Sequence, residues 1–75
     1  MQVLYTVDMS IVKKLGENIK KTRIKKKMTQ GDICRVLDMD RGYMSAIEGG
    51  KKNITLLQLE KLAKALGVSA DKLVK

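Results

Sequence analysis

Between Leu37 and Arg41 the chain has only three residues, Asp38, Met39 and Asp40, in which to leave one helical segment and begin another. So short a link holds the two flanking segments against each other at a sharp angle, and the rest of the chain must build its core around that corner. No proline occurs anywhere, so helix ends must be set by polar caps and glycines. On the near side, Thr29 reads as an N-cap with Asp32 in the third place of a box-like start, and Ile33, Val36 and Leu37 form the apolar face. On the far side, Asp40 reads as an N-cap, and the helix runs from about Arg41 to Glu48, where Gly49 and Gly50 stop it.

The same signals place three more helices. Ser10 reads as the cap of a first helix reaching about Lys26, with Ile11, Leu15, Ile19 and Thr22 in one stripe. Lys13, Lys14, Lys20, Lys21, Lys25, Lys26 and Lys27 take its other faces. Thr55 with Gln58 opens a fourth helix carrying Leu56, Leu59, Leu62, Ala63 and Leu66, which Gly67 ends. Ser69 caps a short last helix with Asp71 in its first turn, where a negative charge suits the dipole. The expected fold class is all-α, with five helices in residues 10–75 after an N-terminal arm, residues 1–9. In that arm Val3, Tyr5 and Val7 alternate with Gln2, Leu4 and Thr6, a pattern that fits a short strand or a disordered arm equally.

Composition narrows what such a domain does. Seventy-five residues make one domain that buries only ~60% of its unfolded surface, a thin core that a partner subunit would help. The formal charge is +8, from 16 Lys plus Arg against 8 Asp plus Glu, which favours a polyanionic partner. Aromatic residues make up 3% of the chain, too few for the stacking platforms of single-strand and RNA binders. Duplex DNA, read by helices and cations, fits better. With no His and one Cys, zinc sites, disulfide frameworks and Ser/His or Cys/His catalysis are excluded, so the expectation is no enzyme, no metal and no cofactor. Cys34 reads as a small core hydrophobe. No apolar run reaches the ~18 residues that span a bilayer, and no signal peptide is legible, so a cytoplasmic protein that makes no membrane contact is expected.

Two short helices joined by three residues, the second behind a polar cap, form a helix-turn-helix arrangement. The blocks LGENIKKTR, MTQGDI, RGYMSAIEGGKKN and LEKLAKALGVSADKL stand in that order between Leu15 and Val74. Together they resemble the Cro and phage-repressor family of DNA-binding domains, the xenobiotic-response-element type. The resemblance implies a compact lambda-repressor-like five-helix domain and a sequence-specific regulator of transcription on duplex DNA. It also implies a repressor, or a protein like the restriction–modification controllers, acting as a homodimer on a two-fold symmetric operator. No accompanying small-molecule ligand domain is expected. The alternative is an antitoxin-like interaction module that neutralises a partner protein and autoregulates through the same fold. Two positions depart from the family pattern. Asp38 stands where a turn glycine is usual, and Asp tolerates positive φ; Cys34 stands where a small residue packs helix two on helix three.

A helical wheel of the second helix of the pair puts Tyr43, Met44 and Ile47 on one side and Arg41, Gly42, Ser45 and Ala46 on the other. The small residues of the second group suit a helix whose backbone approaches base edges, with Arg41 reading guanine and Ser45 hydrogen-bonding. The methyl of Ala46 suits a thymine methyl, and Gly42 contributes fit. The resemblance assigns phosphate contacts to Gln30 with Thr29 beside it, and to Tyr43, Lys51, Lys52 and Asn53. It makes Arg23 and Glu48 a structural ion pair. One such domain covers too few base pairs for selectivity, so a dimer is expected. Its surface is expected among Leu57, Val68, Leu73 and Val74, with the Val3–Val7 arm as a further candidate.

Overall fold

The computed structural model describes residues 9–75. Five helices follow one another: α1 Met9–Lys25, α2 Gln30–Leu37, α3 Arg41–Glu48, α4 Leu56–Leu66 and α5 Ala70–Val74. No strand occurs among the described residues, and the all-α expectation is met. The N-terminal arm, with its strand pattern Val3–Val7, lies outside them. Helix α1 already includes Met9, so Ser10 sits in the first turn and is not its cap.

Polar caps start the central helices. Thr29 Oγ1 accepts from the Asp32 N–H at 3.0 Å, and Asp32 Oδ2 accepts from the Thr29 N–H at 2.8 Å, a complete capping box. Asp40 Oδ2 accepts from the Tyr43 N–H at 3.1 Å, and Thr55 Oγ1 from the Gln58 N–H at 3.1 Å. Ser69 holds the N-cap position of α5, but its hydroxyl makes no capping bond. The stops are left-handed residues: Lys27 at φ 60°, Asp38 at φ 53°, and Gly50 and Gly67 at φ 73°. After α3, the Gly50 N–H bonds to Ile47 O at 3.1 Å and the Lys51 N–H to Ala46 O at 2.9 Å, a Schellman motif. Asp38 takes the left-handed conformation that the missing turn glycine requires.

The core is built from Ile19 of α1, Ile33 and Cys34 of α2, Met44 and Ile47 of α3, Leu59, Leu62, Ala63 and Leu66 of α4, and Leu73 of α5. Helix α1 packs against α3 and α5, while α2 packs against α3 and α4. The inward stripe of α1 is rotated from the expected one. Val12 is buried and Ile11 is 66% exposed, because α1 turns Gly16 toward α3. A Cβ at Gly16 would strike the Ile47 carbonyl oxygen and lie 2.8 Å from that of Glu48, so the backbones nearly touch. Val36 and Leu56, expected on apolar faces, are exposed: each sits beside the stripe its helix buries.

One of the expected dimer residues, Leu73, is corrected here. Leu73 is fully buried, and Val68 is half buried against the core. The cause is the return of α5 onto α1, fixed by Asn18, whose Nδ2 donates to Leu73 O at 2.9 Å. Leu57 and Val74 remain exposed, joined by Leu56.

Candidate nucleic-acid interface

Met44 and Ile47 are buried and anchor α3 from below. With that face fixed, Arg41, Gly42 and Ser45 are exposed, while Ala46 and Tyr43 are half buried. Tyr43 packs against the core, so less of it is free than of Lys51, Lys52 and Asn53. Lys51, Lys52 and Asn53 are exposed in the loop that follows Gly50. That loop is held close to α1: a Cβ at Gly50 would stand 2.8 Å from Lys13 Cα.

Glu48, at 7% exposure, is the one buried charged residue among those described, and four hydrogen bonds link it and Arg23 to each other and to Met28 and Gln30. Arg23 Nε donates to Glu48 Oε2 at 2.7 Å, and Arg23 Nη2 to Oε1 at 3.1 Å. The third donor group, Nη1, reaches Met28 O at 2.8 Å in the α1–α2 turn. Gln30 Nε2 donates to Glu48 Oε1 at 3.0 Å. The hydrogen bond to Glu48 raises the Arg23 pKa above its ordinary value and outweighs desolvation, so the guanidinium stays charged. The pair and its two attachments tie α1, the turn after it, the N-terminus of α2 and the C-terminus of α3 into one unit.

This network orients Gln30. One N–H of its amide is committed inward to Glu48, and the second N–H is left for a phosphate. Beside it at that end of α2 stand the first-turn backbone N–H groups, a natural anion-facing surface. Thr29 Oγ1 is occupied as an acceptor by the cap, which leaves its hydroxyl proton to donate. Asp32 is a carboxylate beside that surface. The backbone N–H of Thr29 is the main cause that holds its pKa below the ordinary range, and Arg35 Nη2, 2.6 Å away, offsets its charge.

Gly42 also has a reason inside the molecule. A Cβ there would lie 2.9 Å from Asp40 Oδ2, the atom that caps α3. Its smallness protects the cap as well as clearing the exposed face. Arg41 Nη1 lies 3.6 Å from where a Cβ on Gly31 would stand, so the guanidinium rests over the first turn of α2. Sequence reasoning missed Gly16, Gly31 and Asn18. An unexplained glycine in mid-helix was the available signal for the first. Among the described residues no group of His, Cys, Asp and Glu is placed to hold a metal, and no helix is long and apolar enough to cross a membrane.

Five helices, with an exposed α3 set by a three-residue turn behind a capped α2, define a class, and a family model described as helix-turn-helix matches residues 19–73; the chain belongs to that family. Among its relatives, the control protein C.MunI of Mycoplasma sp is 38% identical over 61 residues, covering 80% of this chain and 82% of that protein. The restriction–modification controller protein C.AhdI from Aeromonas hydrophila superposes with a TM-score of 0.81 at 28% identity, over 85% of this chain and 97% of that one. The controller C.Esp1396I, solved as a tetramer with its natural 35 base-pair operator, matches with a TM-score of 0.73 at 34% identity, over 87% and 96% of the two chains.

Proposed function

We propose that the protein is a sequence-specific regulator of transcription that binds duplex DNA as a homodimer on a two-fold symmetric operator, in the manner of a restriction–modification controller or repressor. The observation that carries this reading is the bare outer side of α3, Arg41, Gly42 and Ser45, flanked by the α2 N-terminus and by Lys51, Lys52 and Asn53. Short side chains let the helix enter the major groove, and Arg41 reaches a base edge at its N-terminal end. Backbone N–H groups at Gln30 and Gly31, the Thr29 hydroxyl and the loop lysines fix the register on phosphates. The Arg23–Glu48–Gln30 network holds these two phosphate-facing parts at a fixed separation. So few long side chains reach the bases that DNA shape carries part of the specificity. In a dimer the two recognition helices stand about 34 Å apart, one helical turn of DNA. The controller C.Esp1396I, which binds its own operator, supports the same use of this fold. The site of action is the cytoplasm or nucleoid, where duplex DNA is.

Selection from randomised duplexes with the purified protein tests this. A two-fold symmetric consensus is the expected result; recovery of unenriched sequences would sink the sequence-specific reading.

A further inference from the structure

Lys25 and Lys26 have no assigned part in the interface, and the structure places them at a cleft of about 360 Å³. Its lining is Thr22, Lys25, Lys26, Val68 and Lys72. Three cations therefore converge on one hollow from the end of α1 and from α5. The ion pairs among the described residues join Arg23 to Glu48, Arg35 to Asp32 and Lys75 to Asp71, so none of the three lysines has a carboxylate partner among those residues. Like charges gathered without a counter-charge repel one another, and a bound anion relieves that repulsion. The hollow is also firmly built. Leu73 of α5 is fully buried, and Asn18 ties its carbonyl to α1, which fixes Lys72 relative to Lys25.

The cleft lies away from α3. At about 100° per residue, Gly16 and Lys13 fall on one side of α1, where α3 and Gly50 pack. Asn18 and Thr22 fall on the opposite side, facing α5. The lysines of the cleft thus do not share a groove with Arg41. Its chemistry also narrows the ligand. Among the described residues none that lines it is aromatic, so they offer no platform for a nucleobase, and Val68 is the one apolar side chain among them. Lysines act as mobile point charges, and Thr22 adds a hydroxyl. The volume lies at the small end of the usual range for ligand sites.

We propose that this cleft binds a short phosphate chain, such as tripolyphosphate or the triphosphate of a small metabolite, recognised through its phosphates and not through a base. Given the DNA-binding reading, occupancy neutralises part of the field that draws the duplex in and so makes the site an effector site.

The test uses the full chain without DNA, so its outcome is independent of the operator reading. Tripolyphosphate is titrated at about 150 mM salt and followed by calorimetry and amide NMR. Expected shifts centre on Thr22, Lys25, Lys26, Val68 and Lys72. Lys72→Gln weakens binding about tenfold, the loss of one charge-assisted contact, while Lys14→Gln leaves it unchanged. Shifts centred on Gln30, Arg41 and Lys51, or equal losses in the two variants, overturn the proposal. A second arm compares a minimal operator with one lengthened at both ends. If tripolyphosphate fails to bind and Lys72→Gln weakens only the longer duplex, the cleft belongs to flanking DNA phosphates and the small-ligand proposal is wrong.

Discussion

At Gly16 the backbone of α1 meets the backbone of α3, and no other residue type fits without moving a helix. The contacts are carbonyl oxygens, which cannot rotate aside as a flexible side chain would. Gly16→Ala is expected to destabilise the fold by about 1–3 kcal/mol, the range for overpacking, despite alanine's better helix propensity. Urea unfolding would measure it; a stabilised variant would show that the helices do not approach this closely. Lys27 presents the opposite case. It ends α1 at φ 60°, a conformation disfavoured by about 1–2 kcal/mol for a residue with a Cβ. Lys27→Gly should therefore raise stability by about 0.5–1 kcal/mol, and Lys27→Ala should not. Neither position was legible beforehand. A sequence shows that a side chain is missing or large, but not what occupies the space beside it. The departure at Asp38 was legible, because its short polar side chain restricts it to a few uses and one of them is the left-handed turn.

Elements were read best where a polar side chain bonds its own backbone nearby. Thr29, Asp40 and Thr55 announce α2, α3 and α4 because an N-cap is a local interaction within three residues. The rotation of α1 was not local. Ile11 and Val12 are adjacent and both apolar, and only the packing of α3 on Gly16 decides which turns inward. In α5, five residues are too few to show a period, so buried Leu73 looked as available as exposed Val74. The Arg23–Glu48 pair joins elements far apart in sequence and was suggested only by resemblance. Arg23→Ala strands a carboxylate at 3% side-chain exposure, also bonded by Gln30, and is expected to cost about 3 kcal/mol. An unchanged thermal melt would refute that role. Asp32 gives α2 a pH signature. Its folded pKa is depressed, so its contribution is complete above the unfolded value of about 3.9 and is lost as pH falls through the folded value. Wild type should lose its advantage over Asp32→Asn in that acid window; a difference constant with pH would argue against the box.

For the whole molecule the decisive quantity is how many phosphates are engaged at once. Each phosphate contact contributes roughly −0.9 to the slope of log affinity against log salt on duplex DNA. If about six are engaged, affinity should fall ~10³-fold between about 50 and 200 mM salt. Lys52→Ala, which removes one contact from each subunit of the dimer, should shallow that slope by about two units and weaken all sequences alike, whereas Arg41→Ala should cost about 1–3 kcal/mol at one base position of each half-site. Dimerisation then makes a separate demand on the same measurement. With Leu73 buried, the expected dimer residues that stay exposed are Leu57 at the start of α4 and Val74 at the end of α5, with Leu56 beside Leu57. Leu57 is exposed and is not part of the core, so Leu57→Glu changes association without unfolding the chain. Sedimentation should show a dimer for wild type and a monomer for the variant at micromolar concentration. The monomer should still bind a half-site, with about half the salt slope, because half the phosphates are engaged. A wild-type protein that sediments as a monomer and shows the same slope as Leu57→Glu would leave the groove reading intact while removing the two-fold operator.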